Sequence, residues 1–214
     1  MPRWIWIFLL ACIGALLWAA NRSPDLVVAQ SLSGQGLVNC VPQAAARAGE
    51  APMQSDVPDT MGPFRHGEFT ITPLAGFALQ ARVLAREDYR FDAGAALSPT
   101  DLALGWQRMS DPAVYRQLSI SQSGRWYHYR WGSEGPPLEL GEIIRSSANM
   151  HLIPANAGVA QAMSRVRPDQ TVQLQGWLVE ARREDGWHWR SSLTREDSGD
   201  GSCELIYVCA ISAN

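Results

Sequence analysis

Three histidines carry the first chemical options in this chain. His128, His151 and His188 fall in three separate extended stretches, and three imidazoles brought together can bind zinc. No two of them sit two or four residues apart, and neither His-Glu-x-x-His nor Cys-x-x-Cys occurs. No metal and no cofactor is therefore expected, and each ring reads more simply as a partly buried, hydrogen-bonded histidine. A second option lies in Ser146-Ser-Ala-Asn-Met-His151, where Ser147 or Ser146 can serve as a nucleophile with His151 as its base and a remote carboxylate behind it. No Gly-x-Ser-x-Gly elbow accompanies them. In a strand, Ser147, Asn149 and His151 share one face, which suits equally a polar seam where Asn149 and His151 fix a loop. A third option is a stacking surface. Trp126, Tyr129, Trp187 and Trp189, with Arg190 and other arginines between them, form the kind of face on which sugars, nucleotides or peptide strands stack. Aromatics at a spacing of two are also ordinary core residues, with arginines covering their edges. The acid pairs Glu87-Asp88 and Glu196-Asp197, and Asp185, fall at turns, where aspartate is expected for backbone reasons.

The elements that must position these groups are mainly strands. Residues 171–180, 186–193 and 203–211 alternate with a period of two in β-branched and aromatic company, separated by Asp-Gly turns. They read as an antiparallel meander. Upstream, 68–72 and 77–84 alternate likewise, with Pro73 and Gly76 suggesting a bend. Ser98-Pro-Thr-Asp101 has the chemistry of a helix start, and Leu102, Trp106 and Met109 give it one buried stripe before Asp111-Pro112. Residues 118–122 and 125–131 make a hairpin around Ser123-Gly124, and 141–154 reads as extended. Asn156 caps a second helix bearing Val159, Met163 and Val166, closed by Pro168. The expected fold is α+β: β-rich, a mostly antiparallel sheet or partly closed barrel with two short helices, behind an N-terminal transmembrane or signal helix.

That leader is residues 4–20, seventeen without a charge between Arg3 and Arg22, with Trp4, Trp6 and Trp18 near its ends. It reads as an uncleaved membrane anchor, with a signal peptide cut after Ala29 as the alternative. Residues 21–63 are rich in Ala, Ser, Gln and Pro and carry no aromatic, so they read as a flexible tether to a globular domain at 64–212. Of four cysteines, Cys12 lies in the leader. Cys203 and Cys209 are roughly 20 Å apart along one strand, too far to bond. Two pairings stay open, Cys40 with Cys203 or with Cys209, as do buried free thiols. The chain carries 21 acidic and 18 basic residues, the latter all arginine, for a net charge of −3, which speaks against a nucleic-acid partner.

At Ser147-Ala-Asn-Met-His-Leu-Ile-Pro-Ala155, Asp101-Leu-Ala-Leu-Gly-Trp106 and Trp189-Arg-Ser-Ser-Leu-Thr-Arg195 the chain resembles a family of uncharacterised bacterial membrane-anchored proteins. The resemblance spans about Phe69 to Val208, implies a bacterial source and implies no activity. In strand pattern the last three strands resemble part of an oligonucleotide/oligosaccharide-binding barrel. The expectation is a periplasmic domain held at the bacterial inner membrane by residues 4–20, a non-catalytic binding or accessory module with a protein partner in the envelope. An envelope hydrolase, or a metal-dependent enzyme, using His151 with Ser147 or a histidine cluster is the competing expectation.

Overall fold

A computed structural model describes residues 4, 12, 27–28, 40, 46–194 and 203–214. The anchor expected over 4–20 lies outside them apart from Trp4 and Cys12, as does the turn at 195–202. Among the described residues no helix is long and apolar enough to cross a membrane. The elements in chain order are β1 (Val27–Val28), β2 (Met53–Ser55), β3 (Phe64–His66), β4 (Phe69–Asp88) and β5 (Thr100–Gly105). A 3-10 turn (Gln107–Ser110) and α1 (Pro112–Tyr115) lead to the hairpin β6 (Ser119–Ser123) and β7 (Trp126–Arg130). Then come α2 (Leu140–Ser146), β8 (Ser147–Pro154), α3 (Ala157–Arg165), β9 (Thr171–Arg182), β10 (His188–Arg190) and β11 (Glu204–Ala213). The fold is α+β and β-rich.

Five of these strands pair in a ring. β4 pairs β5, β5 pairs β8, β8 pairs β11, β11 pairs β9, and β9 returns to β4. Every pairing is antiparallel except β8 with β11, which is parallel. Closure pairs each of the five on both sides over part of its length and gives each an inner and an outer face. Phe77, Leu79, Leu102, Leu104, Met150, Leu152, Leu174, Ile206 and Val208 fill the inside, and α3 adds Val159 and Met163 to that core. α3 starts where it was expected: Asn156 Oδ1 accepts the Val159 N–H at 3.0 Å. Gly176 is required where β9 meets β11, because a Cβ there would lie 2.0 Å from the Tyr207 carbonyl oxygen.

The outer face is also covered. Around β5 and β8, Tyr127 and Tyr129 of the hairpin and Ile143 of α2 pack on Ala103 and Leu84. On β9 and β11, Trp177, Tyr207 and Cys209 lie under Cys40, Val57, Met61 and Phe64. This second cover comes from the stretch read as a tether. The first half of β4 extends beyond the reach of β5, and β2 and β3 pair along that open edge at Gly76–Ala78 and Phe69–Ile71. β1 does the same for β11, pairing Val27 with Ile211 where β8 has ended. Backbone edge pairing needs no apolar side chains, so composition did not register it.

Other expectations are corrected. The two strands separated by a bend are one twenty-residue strand, β4, which absorbs Pro73 in a bulge before Ala75. The helix opened by Ser98 is strand β5, and helical turns begin only at Gln107. Asp111 closes that 3-10 turn, its N–H donating to the Arg108 carbonyl, and also opens α1, its Oδ1 accepting the Ala113 N–H at 2.8 Å. The extended stretch 141–154 begins with α2 and becomes strand only at Ser147. The meander also differs in layout: β10 and β11 both pair along β9, with β10 taking Glu180–Arg182 beyond the point where β11 stops.

Candidate functional site

The site is built on the outer face of β5 and β8. Register sets Asp101 directly opposite His151, and Ala103 opposite Asn149. Because side chains alternate, Asp101, Asn149 and His151 project to the same side, away from Leu102, Met150 and Leu152 inside. All three are buried, Asp101 completely. A buried carboxylate needs partners, and Asp101 has three. Arg125 Nη1 donates to its Oδ1 at 2.8 Å, Asn149 Nδ2 donates to Oδ2 at 3.2 Å, and His151 Nδ1 lies 2.9 Å from Oδ2. The His151 N–H points off that last line, so the contact is close but not an aligned hydrogen bond.

Arg125 reaches Asp101 from the tip of the β6–β7 hairpin. Ser123 pairs with Trp126, so the turn is the two residues Gly124 and Arg125, with φ of 58° and 71°. Both positive angles fit a type I′ turn, which is unfavourable for arginine by roughly 1 kcal/mol. What offsets this cost is the set of contacts the guanidinium makes. Nη1 also donates to the Ser98 carbonyl at 2.9 Å, Nε and Nη2 donate to Asp92 at 3.0 and 2.8 Å, and the group stacks 3.7 Å over the Tyr89 ring. The Arg125 N–H donates to Tyr89 Oη at 3.1 Å, and Asn149 Nδ2 donates to the Arg125 carbonyl at 2.9 Å. Asn149 thus fixes the hairpin tip, and Gln122 Nε2 in turn donates to Asn149 Oδ1 at 2.6 Å.

Beside this network opens a cleft of about 510 Å³. Its walls are Trp126 after the hairpin tip, Asp92–Gly94 of the β4–β5 loop, and Trp187–Arg190 and Cys203 from the two sides of the β9–β11 connection, with His151 among the lining residues. Trp189 lies against the His151 ring, centroids 4.4 Å apart, and meets Trp187 edge to face at 6.2 Å. Gly94 is needed here: a Cβ would come within 2.7 Å of the Trp189 ring.

The guanidinium groups lining the cleft are matched by carboxylates. Arg125 is held by Asp92 and Asp101, and Arg190 Nη1 donates to Glu180 at 3.1 Å. Burial of Asp92 works to raise its pKa, but the Arg125 guanidinium and the Gly94 N–H outweigh it and hold the carboxyl below the usual aspartate range. A depressed carboxyl contributes stability above its ordinary value, about 3.9, and loses it as pH falls through the lowered one. The loop–hairpin contact should therefore be intact at pH 5 and release only below about pH 4. Tryptophan emission followed through an acid titration checks this, and a transition near pH 6 would contradict it.

The residues expected from sequence divide between this cleft and elsewhere. His151, Trp126, Trp187, Trp189 and Arg190 come together in it, and His188 lines it too. Tyr129 does not; it packs under the hairpin beside Tyr127 at 5.4 Å. His128 lies on the exposed face of β7, with Nε2 3.3 Å from Ser123 Oγ. Among the described residues no group of three His, Cys, Asp or Glu side chains is placed to hold a metal ion. Ser147 sits four residues from His151 on the same strand, and its hydroxyl donates to the Ile143 carbonyl at 2.7 Å, ending α2. The Tyr127 hydroxyl donates to Ser147 Oγ at 3.4 Å, and burial pushes the Tyr127 pKa upward against that bond. The sequence reading did not include Asp92, took Asp101 for part of a helix start, and counted Arg125 only among the arginines between the aromatics. Cys40 is bonded to Cys209, one of the two pairings left open. No protein-family model, curated protein or solved structure matches the chain.

Proposed function

We propose that the chain is an exported binding module, held at the bacterial inner membrane by residues 4–20, whose cleft takes a small, uncharged, ring-bearing ligand of the saccharide class without acting on it. The single observation that carries this reading is the cleft of about 510 Å³, walled by three indoles around a rigid polar network. Indole faces accept the C–H faces of a sugar ring, and Asp92 at the rim offers an acceptor for hydroxyl groups. A phosphate-bearing ligand fits poorly, because Arg125 and Arg190 are already committed to carboxylates. The ring topology adds support. Numbered within the ring, the strand order is 1-2-3-5-4, with a helix between the third and fourth strands. That layout resembles the five-stranded Greek-key barrel whose second and third strands, with the loops beside them, bind oligonucleotides and oligosaccharides. The cleft here takes His151 from the third ring strand, β8, and its other walls come largely from the loop between the first and second ring strands and the connection between the fourth and fifth. The disulfide between Cys40 and Cys209 favours an oxidising compartment such as the periplasm.

Catalysis by Ser147 with His151 has less support, since about four strand residues, roughly 13 Å, separate them. A partner protein in the envelope remains part of the proposal, reached through the anchored chain. The test is titration of the full chain with a panel of neutral glycans, read by tryptophan emission and calorimetry. Trp189→Ala should weaken binding by about 30-fold, the loss of a central aromatic contact of roughly 2 kcal/mol. Saturable binding that survives this substitution unchanged would remove the cleft from the reading.

A further inference from the structure

We infer that the saccharide taken by the cleft carries a short peptide arm, and that this arm pairs as an added strand along β10. The inference rests on the saccharide reading and names what else the ligand brings. β10 pairs with β9 on one side and stands at the end of its sheet. The phase of that pairing is set at both ends. The Arg183 N–H donates to the Trp187 carbonyl and the Ser191 N–H to the Val179 carbonyl, each at 2.9 Å. In an antiparallel pair, residues that bond the partner strand alternate with residues that face away. Trp187, Trp189 and Ser191 therefore turn their backbone groups toward β9, and His188 and Arg190 turn theirs outward. The Ser192 N–H points to that same outer side, where it donates to the Cys203 carbonyl at 3.1 Å. Among the described residues, nothing pairs with the N–H or C=O of His188 or Arg190.

The position of this edge supplies the second observation. His188, Arg190 and the indoles of Trp187 and Trp189 line the same cleft. β11 starts at Glu204, opposite Met150, while β9 runs on past Leu178 to Arg182 with β10 beside it. No pairing joins β10 to β8 among the described residues, so the outer edge of β10 opens into the cleft and not onto a neighbouring strand.

Two outward residues offer two donors and two acceptors, repeating at roughly 6.6 Å, the span of two strand residues. An extended peptide presents its own N–H and C=O groups at that same repeat, which is the basis of strand addition at a sheet edge. Sugar hydroxyls have no such fixed repeat. About three peptide residues reach both positions, and the side chain opposite Trp189 falls on the same side as its indole. A charged arm is not called for, because Arg125 and Arg190 already face carboxylates. A second copy of the chain suits this edge less well. Three residues are too short for pairing sheet to sheet, and they lie in a recess walled by Trp126 and Asp92–Gly94. The ligand that fits is a saccharide with its rings against the indoles and a neutral amide arm laid along β10.

The experiment uses the detergent-solubilised full chain and three neutral probes. These are the trimer of N-acetylglucosamine, the same trimer joined to an Ala-Ala-Ala amide arm, and that conjugate with every arm nitrogen methylated. In calorimetry the arm should tighten binding at least about tenfold, the net yield of two or more backbone hydrogen bonds, and methylation should cancel the gain. Hydrogen exchange gives a second readout. The His188 and Arg190 amides should exchange fast in the free chain and with the trimer, and at least about tenfold more slowly with the conjugate. Equal binding of trimer and conjugate, or a gain that survives methylation, would overturn the inference and leave the saccharide reading standing. Binding by the conjugate alone, sensitive to methylation, would keep the β10 pairing and overturn the saccharide reading. Failure of all three probes overturns the inference, and the panel of neutral glycans then decides the saccharide reading separately.

Discussion

Replacing Asp101 with Asn should destabilise the chain by about 3–5 kcal/mol, the usual consequence of removing one partner from a buried ion pair. The amide keeps the shape of the carboxyl but not its charge. It leaves the Arg125 guanidinium, 15% exposed, facing a neutral group at a point fully shielded from water. It also turns an N–H₂ toward either Arg125 Nη1 or Asn149 Nδ2, both already donors. The comparison with Asp92 makes the prediction sharp, because the same guanidinium contacts both acids at 2.8 Å. Asp92 is 38% exposed, so water screens its pair and Asp92→Asn should cost no more than about 1 kcal/mol. Equal losses for the two substitutions, measured by urea unfolding, would mean that burial does not set the strength of these contacts.

The same reasoning says what the network is for. Replacing Asp101 and Arg125 together by apolar residues of similar size should be far milder than either change alone, since buried ion pairs are often no better than a packed hydrophobic substitute. Stability alone therefore does not account for four polar side chains beneath a hairpin tip. Their consequence is positional: they hold Arg125 in a left-handed turn, and that turn sets Trp126 as a wall of the cleft. The double variant should fold and lose the cleft's ligand, a pairing of outcomes that a purely structural network would not produce.

What the sequence revealed of this site followed from local periodicity. Ser147, Asn149 and His151 share a face because alternation is a property of one strand, and the hairpin was visible in Ser123-Gly124, one residue ahead of the actual turn at Gly124 and Arg125. Asp101 was hidden because both faces of β5 are covered: Leu102 and Leu104 point into the ring, while Ala103 and Asp101 lie under the hairpin. With no exposed face there is no polar alternation to read, and Leu102, Trp106 and Met109 then mimic a helical stripe. Asp92 and Arg125 come from two loops and Trp189 from the short strand β10, and only ring closure brings the three together. The order in which strands close is set by pairings between residues dozens apart, and nothing in a local window encodes it.

Reduction of the Cys40–Cys209 bond should lower the melting temperature by roughly 10 °C, equivalent to about 3–5 kcal/mol for a chain of this size. The bond joins residues 169 apart, so in the unfolded chain it closes nearly the longest loop the protein allows. In the chain-entropy account a loop of that length is worth roughly 5 kcal/mol, and native disulfides typically deliver 2–5. The folded state has its own stake in the bond. Cys40, Val57, Met61 and Phe64 lie over Trp177, Tyr207 and Cys209 on the outside of β9 and β11. Apart from the disulfide, this segment is held by the short strands β2 and β3 and by packing such as Phe64 against the Tyr207 ring at 5.1 Å. Burial there pushes the Tyr207 hydroxyl up to about 12, so release of the cover should let it titrate nearer its ordinary value, about 10. The reduced protein should therefore show a lower melting point together with an earlier tyrosinate absorbance in an alkaline titration. Cys209→Ser should reproduce both. A lower melting point with no change in the tyrosinate curve would locate the bond's effect in the unfolded chain alone and leave the N-terminal cover attached without it.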